Sequence, residues 1–485
     1  MADTDIFFAT ISELSEGLHS RKFSALELTR AFGERLEQYG PRYNALALSL
    51  RSEAVRAAKD VDDDLQRERY RGPLQGIPYA VKDLLAVQGH PTTWGAKPFA
   101  GQVFDYDARV VQKIRKSGGL LIGKLAMVEL AGGGGYRLAS ASLFGAGLNP
   151  WDRSRWSGGS SSGSGSAVAA GLVPYAIGSE TSGSILTPSA FCGVTGLRPT
   201  YGLVSRYGAM ALSWTMDKLG PMCRSAEDCA LVLQVIAGKD PEDPGTAGKG
   251  FYYTPQYGRA LKDIKVGFAP ADFDTLPDAN CRQAFVEALA AFRSLGTQMI
   301  ETRLPDLPFG VVTGTVITAE GSSIFEPIIR DGRIDQLADA KQVAGLRAGL
   351  EIPAHDYLKS MRVRRIMQQE LRRVLRDVDV LLAPSRYGIA PKVSEPLDGP
   401  AATAGGSQPA NTGMRGLIPA GNLAGLPAIS LPAGFADKMP IAIQLVSRPF
   451  TENMIVHLGT AFQKATNWHR QRPQVEIQNT QAERA

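Results

Sequence analysis

Between Arg155 and Arg198 the sequence carries a single formally charged side chain, Glu180. The stretch begins Ser157-Gly158-Gly159-Ser160-Ser161-Ser162-Gly163-Ser164-Gly165-Ser166 and runs into the apolar segment 167–177. It continues through Gly178-Ser179-Glu180-Thr181-Ser182-Gly183-Ser184 to Cys192 and Gly193. Two Ser/Gly-rich loops therefore flank one buried segment. The chemistry such a region offers is that of hydroxyls and backbone N–H groups.

The remainder of the chain alternates short apolar runs with helical periodicity, which points to βα units around a largely buried sheet. Residues 10–70 read as a helical layer, with Ser24 and Glu27 forming a capping box. Residues 77–81 read as a short buried strand with Lys82 at its end and Asp83 beyond. Strand 120–122 is expected to lead into a helix over 125–130. Helices are expected over 107–117, 226–237, 279–295 and most of 311–378, and strands at 264–268, 298–300 and 378–383. Residues 384–416 form a long Gly/Pro-rich loop of the kind that is functional or disordered. Two strands, 422–431 and 440–446, precede a closing helix over 453–465. The regional division is an N-terminal layer 1–70, a catalytic core 71–240, a variable helical region 241–385, a loop 386–416 and a C-terminal unit 417–472, all within one domain.

A net charge of +5 spread over 485 residues makes no case for nucleic acid or an anionic membrane. The basic run from Arg362 to Arg376 is read as one exposed amphipathic helix face. No apolar run is long enough for a membrane span, and the N-terminus lacks the pattern of a signal peptide. Cys192, Cys223, Cys229 and Cys281 include no CxxC pair, so reduced thiols in a cytoplasmic protein are expected. The five histidines form no HExxH and none lies near the Ser/Gly loops, so neither metal nor cofactor is expected. Gly159-Ser160-Ser161-Ser162-Gly163 matches GxSxG, but residues 149–156 do not read as the buried strand that a nucleophile elbow requires.

What remains is serine activated by lysine. A serine hydroxyl becomes a nucleophile only when a base accepts its proton. Lysine can be that base when burial among few charges lowers its pKa. A second serine can relay the proton, and the tight glycines around Ser182-Gly183-Ser184 allow several N–H groups to converge on one oxygen.

At these residues the chain resembles the amidase signature family. The motifs that carry the likeness are Gly76-Ile77-Pro78-Tyr79-Ala80-Val81-Lys82-Asp83, Gly158-Gly159-Ser160-Ser161-Ser162-Gly163-Ser164, and the run from Glu180 to Gly193. Weaker matches lie at 201–205, 217–221 and 422–427. The resemblance implies a large mixed, twisted β-sheet covered by helices on both faces. It also implies Ser184 as nucleophile, Ser160 after a cis peptide as the bridging serine, Lys82 as base, and the N–H groups of Thr181, Ser182, Gly183 and Ser184 as the oxyanion hole. The chain departs from the family pattern at Glu180 (usually Asp), Ser182 (usually Gly) and Leu186 (usually Arg). Loss of the arginine turns the expectation toward a neutral amide, with carbamate, anilide or ester side activity. Met127, Glu129, Gly132 and Gly133 are candidates to line its pocket. The expected partners are a small amide and a second copy of the chain, without nucleic acid or membrane. The alternative is the glutamine-hydrolysing subunit of a tRNA-dependent amidotransferase, against which the altered Glu180–Leu186 run speaks.

Overall fold

The computed structural model describes residues 5–398 and 413–475. Its strands are β1 (Leu46–Ser49), β2 (Pro78–Lys82), β3 (Leu120–Leu125), β4 (Leu148–Asn149), β5 (Asp152–Trp156), β6 (Tyr175–Glu180), β7 (Thr195–Arg198), β8 (Lys218–Cys223), β9 (Lys265–Phe268), β10 (Gln298–Glu301), β11 (Val380–Pro384), β12 (Ala428–Ala436) and β13 (Met439–Ser447). Eleven of them form one mixed sheet in the order β1-β3-β2-β6-β8-β7-β12-β13-β11-β9-β10. The long uncharged stretch supplies β6 and β7 at the centre of this sheet, where strands covered on both faces tolerate no unpaired charge.

Alternation along the strands shows that both faces are covered. On β11, Val380 and Leu382 join one apolar cluster, while Leu381 and Ala383 join another. Successive side chains of a strand point to opposite faces, so the two clusters lie on opposite sides of the sheet. Helices Phe309–Ile324, Ala354–Asp377 and Leu417–Leu423 contribute to the second cluster. Helices Ala25–Tyr39, Ala226–Ile236, Ala279–Arg293 and Glu452–Thr466 contribute to the first. The mixed, doubly covered sheet is the architecture that the motifs implied.

Local signals behave as their chemistry requires. The Ser24 side chain accepts from the Glu27 N–H, and the Glu27 carboxylate takes the Ser24 N–H, closing the capping box. Ser225 caps the helix that follows it.

Two local expectations are corrected. Residues 125–130 do not form the expected helix: β3 runs to Leu125, and a single 3-10 turn begins only at Glu129, with Leu130 and Ala131 in left-handed backbone before Gly132. Asn422 ends a helix rather than beginning a strand, and β12 starts only at Ala428. Residues 152–156, which do not read as a buried strand, form a partly exposed one that pairs with β4 and bridges to Lys392 through Arg155. The GxSxG match therefore still lacks a buried central strand in front of it. The loop expected over 384–416 has residues 399–412 outside the described part.

Candidate active site

The site begins with strand register. β2 and β6 are parallel neighbours with Val81 opposite Ile177, so Lys82 stands level with Gly178 and Ser179. Both strands end here, and the carboxyl ends of neighbouring parallel strands are where an open α/β sheet leaves a crevice. Lys82 is wholly buried. Its Nζ donates to Ser160 Oγ at 2.7 Å and to Ser179 Oγ at 2.9 Å. Burial lowers its pKa from 10.5 to about 7, and the nearby charges of Asp217 and Glu180 only partly oppose that shift.

Ser160 follows a cis peptide bond from Gly159. The loop that carries it is held against the second loop in two ways. Ser161 N–H donates to Ser184 C=O at 3.4 Å. Gly158 has φ +88°, and a Cβ on it would lie 2.6 Å from Pro188 Cα, so only glycine allows the chains to approach this closely.

The 181–184 loop is shaped by Glu180. Its Oε2 accepts the N–H groups of Ile185 at 2.9 Å and Leu186 at 3.0 Å. Its Oε1 faces Arg198 Nη1 at 2.9 Å and accepts from Asn422 Nδ2 at 2.8 Å. Lys218, the β8 residue opposite Glu180, donates to Asn422 Oδ1 at 2.6 Å. Burial alone would raise the Glu180 pKa, but Arg198, Lys218 and these hydrogen bonds bring it down to about 2. Asp217 anchors the other side, accepting from Thr181 Oγ1 at 2.6 Å and from the N–H groups of Leu212 at 2.8 Å and Ser213 at 2.9 Å. Within the loop, Thr187 N–H donates to Gly183 C=O at 2.8 Å. Among the described residues, no loop or side-chain acceptor takes the N–H groups of Ser182, Gly183 or Ser184.

With leucine at 186, the cation that faces the Glu180 carboxylate comes from another strand. Leu186 packs in the apolar cluster with Met216 and Leu417, and Arg198 from β7 supplies the cation. The carboxylate and guanidinium are both completely buried. Replacing Glu180 by alanine is therefore expected to destabilise the fold by about 3–5 kcal/mol, because Arg198 is left as an uncompensated buried charge. Chemical denaturation of Glu180→Ala measures this, and a loss below about 1 kcal/mol would contradict it. The folded pKa of Glu180 lies below its ordinary 4.5. Its contribution is thus complete above that value and is lost as pH falls toward about 2.

Gly183 has φ +91°, and a Cβ there would lie 3.2 Å from Thr187 Oγ1 and 3.3 Å from Ile418 Cγ2. Gly183→Ala is expected to cost about 1–2 kcal/mol of backbone strain. Turnover is expected to fall further than that cost accounts for, because the loop's N–H groups are displaced. Parallel melting and steady-state measurements separate the two effects.

The structure thus brings Lys82 and Ser160 into direct contact and ties Ser184 to their loop through its backbone. Among the described residues the Ser184 hydroxyl itself has no hydrogen-bond partner. The pocket candidates stand elsewhere. Met127 and Glu129 are buried. The Glu129 carboxylate receives the Ala338 N–H at 3.0 Å, and burial raises its pKa to about 7. Gly132 lies beside Tyr136, and Gly133 beside Leu212 and Phe325. None of the four lines either cavity next to the loop.

One such cavity, about 200 Å³, is bounded by Ser179, Thr181 and Asp217. The other, about 380 Å³, is bounded by Ser182, Ile418, Arg386 and Arg415. Ser179, Arg198, Lys218 and Asn422 escaped sequence reasoning as site residues. A signal existed for Arg198, since a lone acid in an uncharged stretch needs a cation and Arg198 closes that stretch. The distances that bring Asn422 and Lys218 to Glu180 are set by tertiary packing.

A buried lysine in hydrogen-bond contact with a serine of a Ser/Gly loop on this sheet is the arrangement expected of an amidase. The chain belongs to the Amidase family, whose model matches residues 27–456. It is 36% identical to a glutamyl-tRNA(Gln) amidotransferase subunit of Legionella pneumophila subsp. pneumophila, over 96% of this chain and 98% of that one. A solved structure described as part of an unexpected vestigial protein complex, revealing the origins of an s-triazine catabolic enzyme, superposes with a TM-score of 0.83. It shares 29% identity over 94% of this chain and 99% of that chain. The native peptide amidase from Stenotrophomonas maltophilia superposes with a TM-score of 0.80, at 27% identity over 98% of this chain and 99% of that chain. Family membership makes the chain an enzyme acting on C–N bonds.

The same findings correct the expected partners. Relatives that match end to end are one component of an amidotransferase and a member of a protein complex, which overturns an expectation that named no protein partner besides a second copy of the chain. Among the described residues, no helix is long and apolar enough to cross a membrane.

Proposed function

We propose that the chain is the amide-hydrolysing subunit of an amidotransferase-type assembly and cleaves its substrate through an acyl-enzyme on Ser184. The observation that carries the chemistry is the wholly buried Lys82 Nζ, 2.7 Å from Ser160 Oγ, with a pKa near neutrality. In the neutral form Lys82 takes the Ser160 proton while Ser160 takes that of Ser184, and Ser184 Oγ attacks the amide carbonyl. The N–H groups of Thr181, Ser182, Gly183 and Ser184 receive the oxyanion. Return of the proton through Ser160 protonates the leaving nitrogen, the C–N bond breaks, and water then hydrolyses the ester on Ser184 by the reverse relay.

The end-to-end likeness to one component of a glutamyl-tRNA(Gln) amidotransferase supports an assembly in which the released ammonia passes to a partner. It favours this reading over a free-standing hydrolase of neutral amides. The test is ammonia release by the full-length chain purified from its own cells, with and without its co-purifying proteins. Turnover that rises at least about tenfold with those proteins supports the assembly. Full turnover by the isolated chain, with nothing co-purifying, overturns it.

A further inference from the structure

Among the described residues, two cavities beside the catalytic loop differ in charge. The smaller contains Arg206, but that guanidinium is paired with Asp243 at 2.9 Å, and Asp217 and Glu242 also line the space. The larger is lined by Arg386 and Arg415 and by no acidic side chain among the described residues. No ion pair neutralises either arginine among those residues. Arg415 instead stacks over the Tyr387 ring with its Cζ 4.6 Å from the centroid, and Arg386 lies 5.8 Å over Phe191. The Asp272 carboxylate feels the charge of Arg415 but forms no ion pair with it among the described residues, and it accepts the Met414 N–H at 2.6 Å.

A second observation at the same place is independent of charge. Four residues lining this cavity hold buried polar atoms without a partner among the described residues: Arg415 Nη1, Thr313 Oγ1, Gln444 Oε1 and the Tyr387 hydroxyl. Native interiors leave few such atoms, so a cluster of them around one space calls for a polar occupant. The guanidinium and threonine groups donate, and Gln444 offers an acceptor. Ser182 is part of the wall, and Ile418 of the wall touches the position above Gly183, so the space opens directly from the oxyanion loop.

We propose that this cavity binds the acyl side of the substrate and that Arg415, supported by Arg386, reads a carboxylate on it. The inference rests on Ser184 as the nucleophile and adds the substrate class: an amide whose acyl chain ends in a carboxylate and bears no ammonium group. Short monoamides of dicarboxylic acids are of this class. Glutamine is a poorer fit, because its ammonium would meet two arginines and no carboxylate. The neutral-amide expectation followed from leucine at 186. The cations of this pocket come instead from positions 386 and 415, far along the chain. A cavity of about 380 Å³ lies at the small end of the range for ligand sites, in keeping with a chain of a few carbons.

The test compares succinamate, glutaramate, glutamine and the uncharged analogue valeramide as substrates of the full chain with its co-purifying proteins. A carboxylate on a buried guanidinium is expected to favour glutaramate or succinamate over valeramide by roughly a hundredfold in kcat/KM, with glutamine between them. In Arg415→Gln that ratio is expected to fall to within about threefold, chiefly through KM, with Arg415→Lys intermediate. Calorimetric titration with glutarate, which has no scissile bond, reads the pocket without catalysis. Binding to the wild type and its loss in Arg415→Gln are expected. Equal hydrolysis of valeramide and glutaramate, or no glutarate binding to the wild type, overturns the inference but leaves the Ser184 mechanism standing. Glutarate binding without hydrolysis of any amide keeps the pocket and overturns the mechanism. Should Arg415→Gln not fold, the wild-type substrate ratio and glutarate titration still decide.

Discussion

Lys82→Ala is expected to lower turnover by roughly ten-thousand-fold, as loss of a catalytic base does in other serine hydrolases, while the fold persists. The effect has two parts. Ser160 loses the acceptor for its proton, so the relay to Ser184 stops. The site also loses the group that returns that proton to the leaving nitrogen. Removing a buried amine with a depressed pKa leaves no uncompensated charge, and Ser160 and Ser179 lose only a hydrogen-bond donor. Circular dichroism and thermal melting of the variant separate chemistry from folding. Lys82→Arg is expected to be as inactive, because a guanidinium does not give up its proton near neutrality.

The wild-type pH profile carries the same claim with its sign. The base works only when neutral, and its pKa lies at about 7. Below that pH, kcat/KM is expected to rise about tenfold per unit as Lys82 deprotonates, and to level off above it. A profile that falls as pH rises through neutrality would contradict a lysine base. The stability linkage runs in the same direction. Unfolded Lys82 would hold its proton up to about its ordinary 10.5, so between the two values this group makes the fold more stable as pH rises.

Ser184→Ala is the second large effect. Loss of the nucleophile is expected to cost turnover at least as heavily as loss of the base, again roughly ten-thousand-fold or more. The two losses should not add, since nucleophile and base act as one unit. The double variant Lys82→Ala/Ser184→Ala is therefore expected to match the worse single variant within about threefold. Ser184 is buried but retains some exposure, at 8%, so alanine there neither opens a large void nor strands a charge. Substrate binding in Ser184→Ala should survive, which makes the variant suitable for measuring affinity without turnover.

Much of this site was legible in the sequence because its parts are local. The lysine at a strand end, the two Ser/Gly loops and the single acid among uncharged residues are each visible in a short window. Parallel pairing of β2 with β6 then does what no window shows, bringing Lys82 level with Ser179 across a large separation in sequence. Arg198 and Asn422 were missed as site residues because their role exists only where β7 and the helix ending at Leu423 converge on Glu180. Met127 and Glu129 lie just before a glycine-rich turn. That turn is built from left-handed backbone, which leaves Glu129 holding Ala338 inside the fold. The pocket arginines lie far beyond Ser160 in the chain, in a region whose helical pattern and loops reveal nothing about which side chains face the catalytic loop.

The most direct measurement is acid-quench mass spectrometry during turnover of a slow ester or amide substrate, with peptide mapping of the trapped adduct. The account predicts one acyl group per active chain, on the peptide containing Ser184, absent from Ser184→Ala and much reduced in Lys82→Ala. An adduct mapped to Ser160, or active enzyme that never carries an acyl group, would contradict it.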